Sequence, residues 1–160
     1  MKIWLTTDTH FSHPKLVEYG RPLDFEKRIK KNLIAKIKSS DILIHLGDVC
    51  MGDHAQNNFW FQENLGCKTY LIRGNHDSQS ITWYLKHGWD MVADRLDIET
   101  YGKIRCFTHA PVPWDGRFHI NHHGHLHGLD TTRHTTSFQT SSLNQLLSLE
   151  ENDYMPFLIK

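Results

Sequence analysis

Apolar and polar positions in the first half of the chain alternate between two periods. Lys2–Thr7 mixes apolar and β-branched residues over a length that predicts a short strand, ending at Asp8-Thr9-His10. After Asp24, a capping residue, Phe25, Ile29, Leu33 and Ile37 recur every four positions and predict a helix to about Ser39. Its other face carries Lys27, Arg28, Lys30, Lys31, Lys36 and Lys38, which read as a solvated face. Asp41–Leu46 is apolar enough for a strand buried on both sides and ends at Gly47-Asp48. A helix over about His54–Leu65 follows, with Phe59 and Trp60 expected in the core. Lys68–Arg73 predicts a third strand, running into Gly74-Asn75-His76-Asp77, and Ser80–Lys86 predicts a helix closed by Gly88.

The pattern then changes to period two. Leu96–Thr100 and Ile104–Thr108 flank Tyr101-Gly102-Lys103, a hairpin signal whose second strand runs into His109. A loop from Pro111 to Asn121 leads to Gly124-His125-Leu126-His127. Residues 130–142, rich in Thr and Ser, read as an exposed loop, and Leu146–Glu150 and Phe157–Ile159 as closing strands. No repeat, linker or boundary interrupts the chain, so a single domain over 1–160 is expected. Strand–helix alternation followed by a strand-rich half predicts an α/β fold with one sheet or two, covered by helices. Sites in such sheets lie at strand carboxyl ends.

Composition narrows the class. With 39% hydrophobic and 22% charged residues, the chain is neither disordered, collagenous nor a coiled coil. No apolar run reaches the ~18 residues of a membrane span, and polar Thr6 cuts short any signal-peptide core. Cys50, Cys67 and Cys106 are dispersed, without CxxC, as expected of free thiols in a reducing, cytoplasmic setting. Eighteen basic residues balance eighteen acidic ones, which gives no electrostatic case for bulk nucleic acid or an anionic membrane as partner. The 13 histidines, spread from His10 to His134, point instead to metal ligation and acid–base work.

The predicted strand ends gather Asp8, His10, Asp48, Asn75, His76, His109, His125 and His127, all residue types that divalent cations accept. D-x-H and H-x-H each put two side chains on one side of an extended segment, so each pair can chelate. Glycines precede Asp48, Asn75 and His125, as tight turns require. With His76 left out, seven ligand-type groups remain, too many for one ion and suited to two ions sharing a carboxylate. D-x-H and Gly-Asp alone are weak and G-N-H-D and G-H-x-H stronger; their ordered co-occurrence argues against a purely structural origin.

The ordered set Asp8-x-His10, Gly47-Asp48, Gly74-Asn75-His76-Asp77, His109 and Gly124-His125-x-His127 resembles the calcineurin-like metallophosphoesterases. Asp8-Thr9-His10-Phe11-x-His13, Ile72–Asp77 and His109-x-Pro111 look like the small single-domain bacterial and phage-type members. The resemblance implies a β-sandwich of two mixed sheets flanked by helices. It implies that Asp8, His10 and His127 hold one metal, that Asn75, His109 and His125 hold another, and that Asp48 bridges them. Manganese is the first expectation, with iron, zinc or nickel as alternatives. The implied reaction is hydrolysis of a phosphodiester or related phosphate ester, nucleotide or nucleic-acid-derived substrates included. A metal-bridging hydroxide would attack in line, and His76 would protonate the leaving oxygen.

Other residues stay open between two roles. Asp77 either orients His76 or Asn75 or serves the turn. Arg73 either meets substrate phosphate or forms a salt bridge. His13 is close enough in sequence to reach substrate. His122 and His123 abut the last motif. Trp114 either stacks on a substrate base or, preferably, packs against its loop. His45 reads as a hydrogen-bonded core histidine, and Trp4, Phe59, Trp60, Trp83 and Trp89 as core. Residues 11–23, 111–121 and 130–142 form the expected rim of an open cleft. A phosphomonoesterase acting on nucleotides or phosphoproteins keeps the chemistry and changes the substrate. A non-catalytic metal-stabilised scaffold would not need His76.

Overall fold

The computed structural model describes residues 1–127 and 141–160. Most of the loop expected at 130–142 therefore lies outside the described residues. One sheet contains five strands: β1 (Ile3–Thr6), β2 (Ile42–His45), β3 (Lys68–Ile72), β4 (Met91–Ala93) and β9 (Phe157–Leu158). Their order is β4-β3-β2-β1-β9, with the first four parallel and β9 antiparallel to β1. The other sheet has the order β5-β6-β7-β8, formed by Arg95–Thr100, Lys103–Thr108, Ile120–His123 and Asn144–Leu146. Only β5 and β6 are antiparallel in it. Both sheets are thus mixed, as the family resemblance implies.

Period-two alternation sorts the first sheet's residues between two cores. Ile3, Leu5, Ile44, Leu46 and Ile72 pack against Phe107, Leu147 and Ile159 between the sheets. Trp4, Leu43 and Leu71 face the other way, onto the helices α2 (Phe25–Lys36), α3 (His54–Leu65) and α4 (Ile81–Lys86). Phe25, Ile29 and Leu33 supply the buried stripe of α2. Each such fully buried side chain contributes roughly 1.5–3 kcal/mol.

Several elements differ from the sequence reading. α2 ends at Lys36 because Ile37 adopts extended backbone, φ −92° and ψ 132°. In α3 the buried positions are Asn57, Asn58, Phe61 and Leu65; Trp60 is half-buried but packs on this core as expected, while Phe59 lies half-buried on the flank. Trp4 and Trp89 are buried, whereas Trp83 is half-buried and stacks on His87 at 3.7 Å. The expected 111–121 loop ends in β7, a strand whose polar residues Asn121, His122 and His123 are all buried. The strand expected at Leu146–Glu150 runs instead from Asn144 to Leu146, and the chain then turns through Leu149–Tyr154. α1 (Lys15–Glu18) and β4 were not expected. Trp114 does not pack: it is 64% exposed, its indole N–H donating to the Phe118 carbonyl at 3.0 Å.

Candidate metal centre

The carboxyl ends of β1, β2 and β3 open onto one edge, where β6 and β7 from the second sheet also end. Backbone hydrogen bonds tie these ends together. Asp8 N–H donates to the Gly47 carbonyl at 2.9 Å, His10 N–H to Asp48 at 3.0 Å, and Gly124 N–H to His109 at 2.9 Å. Asp8, His10, Asp48, His125 and His127 all hold positive φ, between 46° and 70°. The D-x-H and H-x-H segments are therefore turns, not the extended segments expected. Non-glycine residues in this region cost about 1–3 kcal/mol each, a strain that clusters at functional sites.

The turns bring the side chains together in two groups. In the first, Asp8 Oδ1 lies 3.5 Å from His127 Nε2 and 3.9 Å from His10 Nε2. The two Nε2 atoms are 3.3 Å apart. In the second, His109 Nε2 lies 3.4 Å from Asp48 Oδ2, 3.0 Å from Asn75 Oδ1 and 3.1 Å from His125 Nδ1. Asp48 Oδ2 is also 3.6 Å from His10 Nε2, so it faces both groups. H-x-H does not chelate as a pair: His125 joins the second group and His127 the first.

The donor chemistry fits two divalent cations. The ligand atoms of Asp8, His10 and His127 lie within 4.8 Å of one another, as do those of Asp48, His109 and His125. Asp8 Oδ2 accepts from the Thr7 hydroxyl at 2.7 Å and His125 N–H at 3.0 Å, while buried Oδ1 has no hydrogen-bond partner. His109 Nδ1 has only a carbonyl to face, Leu46 O at 2.8 Å, so it donates there, and Nε2 gives its proton to Asp48, a proton a cation would replace. Two imidazole nitrogens 3.3 Å apart are tolerable only with a proton or cation between them. Burial would raise the Asp48 carboxyl, but the His109 hydrogen bond and the surrounding N–H donors hold it at about 2. Burial outweighs the pull of Asp48 on His10 and lowers it to about 3, leaving a neutral donor.

The remaining candidates divide. The His76 ring is 39% exposed, with Nε2 3.9 Å from Asp48 Oδ2 and its centroid 5.4 Å from that of His10. His13 stands beside it, 5.7 Å from the His10 ring. Asp77 touches neither the His76 nor the Asn75 side chain; its carboxylate accepts backbone N–H groups of both neighbouring turns. Arg73 is turned away in a two-pronged salt bridge with Asp94 at 2.8 and 3.0 Å. His122 bonds Arg105 at 3.1 Å and lies outside the cluster. His123 bonds the Gly124 carbonyl at 3.0 Å. Buried His45 accepts from Gly47 N–H through Nδ1, so its Nε2–H donates to Thr9 Oγ1, which in turn donates to the Val49 carbonyl. That relay braces the first two turns from below.

Arg21 and Glu150 escaped the sequence reading. Glu150 Oε1 is 3.1 Å from His127 Nδ1 and 2.6 Å from Arg21 Nη2, and Arg21 also donates to the carbonyls of Asp8 and Thr9. They are 129 positions apart and belong to no spacing motif.

Comparison with known proteins places this geometry. The profile of calcineurin-like phosphoesterases matches residues 1–158. An uncharacterised protein of Methanocaldococcus jannaschii is 34% identical over 82 residues, 48% of this chain and 47% of its own length. A protein of unknown function from Aquifex aeolicus superposes with a TM-score of 0.76 at 24% identity, covering 98% of this chain and 95% of its own. An archaeal phosphodiesterase gives 0.55 at 18% identity, over 99% and 100%. A Pseudomonas putida nuclease gives 0.53 at 24%, over 78% and 61%. These likenesses show a shared fold. From its first strand to its last, the chain belongs to the calcineurin-like phosphoesterase family, which works with divalent metals.

Proposed function

We propose that the protein is a phosphodiesterase using two divalent cations, manganese first among them. Asp8, His10 and His127 would hold one, Asn75, His109 and His125 the other, and Asp48 both. The observation that carries the reading is the position of Asp48 Oδ2, 3.6 Å from His10 Nε2 and 3.4 Å from His109 Nε2. When bound, such a pair supplies Lewis acidity, for hydroxide formation near neutral pH and for neutralising phosphoryl charge. His76, half-exposed at the mouth of the cluster, gives its imidazole proton to the leaving oxygen. His13 lines the same rim and meets the substrate. Structural neighbours named as a phosphodiesterase and a nuclease support a diester substrate. Three free thiols support a reducing, cytoplasmic setting.

The test is a manganese-dependent assay of bis-p-nitrophenyl phosphate beside p-nitrophenyl phosphate. Diester turnover that a chelator abolishes and manganese restores is expected. Faster monoester turnover would reassign the protein as a phosphomonoesterase. Full metal loading with neither activity would make it a scaffold.

A further inference from the structure

The two cation positions are not supported alike. In the second group, His109 Nδ1 leans on a neutral acceptor, the Leu46 carbonyl. In the first, the outer nitrogen of His127 faces a carboxylate, Glu150 Oε1 at 3.1 Å. Arg21 Nη2 also lies 3.3 Å from that nitrogen. The guanidinium gives its Nε–H to Glu150 Oε1 at 2.8 Å and an Nη2–H to the Asp8 carbonyl at 2.8 Å. Arg21 and Glu150 therefore hold the outer edge of the His127 ring between them, and its Nε2 faces Asp8 Oδ1 at 3.5 Å.

The clasp is built. Arg21 is 4% exposed and is sandwiched by the rings of Phe25 at 5.0 Å and Tyr154 at 6.0 Å. The turn carrying Glu150 is fastened to α2 by Asn32, whose amide donates to the Tyr154 carbonyl at 3.0 Å. Asp153 and Tyr154 in that turn hold φ of 49° and 58°, so the backbone is strained to hold this shape.

We infer that Glu150 and Arg21 are positioning residues that fix the orientation of His127 and so set the affinity of the first cation position. The inference rests on the two-cation reading above. A carboxylate behind a ligating imidazole makes it a stronger donor, and losing such a partner typically weakens metal binding about 10–100-fold.

The experiment titrates manganese into wild type, Glu150→Gln and Arg21→Lys, with affinity followed by calorimetry and by electron paramagnetic resonance. Glu150→Gln should bind one ion as tightly as wild type and the other about 10–100-fold more weakly. Arg21→Lys keeps the charge but loses the fork, and should show a smaller loss at the same position. Two ions bound at wild-type affinity by a folded Glu150→Gln would overturn the inference. A second measurement needs no metal: the His127 ring, followed by NMR in metal-free protein, should hold one fixed orientation in wild type and average between orientations in Glu150→Gln. An equally fixed ring in the variant would also overturn the inference. Wild type that binds no manganese would sink the two-cation reading while leaving the ring test standing.

Discussion

Asp77 holds Asp48 by its backbone: the Asp77 carboxylate accepts the Asp48 N–H at 2.8 Å. The same oxygen accepts Gly74 N–H at 2.8 Å, and the other accepts Val49 N–H at 3.1 Å. One buried side chain thus joins the turn after β2 to the turn after β3, the turns that carry Asp48 and Asn75. In Asp77→Asn the amide keeps one acceptor oxygen. Its best rotamer serves Asp48 and Gly74 and points an NH₂ at Val49 N–H. A buried donor left without an acceptor costs about 1–3 kcal/mol. Thermal unfolding should show a loss of several degrees. An unchanged melting temperature would mean that the turns hold without Asp77.

Asp48 and Asp8 should separate under substitution. Asp48→Asn keeps shape but removes the charge that faces both groups, so both cations should weaken and turnover should fall by orders of magnitude. Asp8→Asn touches one group only, and should mainly cost the first ion. Metal analysis of both variants after manganese reconstitution decides between shared and separate roles. Near-wild-type metal content and rate in Asp48→Asn would remove Asp48 from its place between the ions.

The motif residues were legible because the strands before them are. Ile3–Thr6, Ile42–His45 and Lys68–Ile72 are apolar runs that stop at chemistry. β7 hid because its buried positions are Asn121, His122 and His123, satisfied by local partners such as Thr108 and Arg105 that no pattern of hydrophobicity reveals. β4 has three half-buried residues, too few to show a period. The split of His125 from His127 was implied by the family resemblance and not by the H-x-H spacing, which read as one pair; positive φ at both residues turns the rings into different groups. Arg21 and Glu150 meet only through tertiary folding, and a Glu that ends an apolar run and is followed by another Glu carries no signal of its partner.

Gly124 lies where the first group is most crowded. A Cβ there would run into the Thr7 hydroxyl and the Asp8 carboxylate. Gly124→Ala must push Asp8 aside, at about 1–3 kcal/mol by the usual cost of overpacking, and should weaken the first cation. Gly52→Ala is the control, since its nearest neighbour, Ser12 Cβ, would be 3.4 Å away. Denaturant unfolding and manganese titration of both variants make the comparison. Equal effects would show that steric crowding at Gly124 is not what matters.

Asp41 should give the fold part of its acid sensitivity. Its carboxylate accepts Lys2 N–H at 2.8 Å, Trp4 Nε1–H at 3.2 Å and Lys38 N–H at 3.2 Å, joining the starts of β1 and β2. Burial would raise its pKa, but these donors outweigh it and lower it below 3.8. A folded value below the unfolded one means stability that is complete above the unfolded pKa and lost as pH falls through the folded one. The stability gap between wild type and Asp41→Asn, measured by urea unfolding with chelator present, should be full at about pH 6 and close as pH falls well below the unfolded value. A gap independent of pH would show that the charge of Asp41 is not what these donors stabilise.

His76 should separate from the ligands by its dependence on the leaving group. It lies 3.9 Å from Asp48 Oδ2 and is the most exposed of the imidazoles packed around that oxygen, as a proton donor facing substrate needs to be. His76→Ala should leave both cations bound. p-Nitrophenolate departs readily without a proton, so the loss on an aryl diester should be modest. A ribose alkoxide departs poorly, so the loss on an alkyl diester should approach the upper part of the ~10²–10⁴ range of general-acid catalysis. Steady-state rates of both proteins on both substrates, with metal content measured in parallel, test this. Equal losses with metals intact would make His76 a binder of the phosphoryl group in the transition state. Loss of a cation would make it a ligand, and the donor set around Asp48 would have to be redrawn.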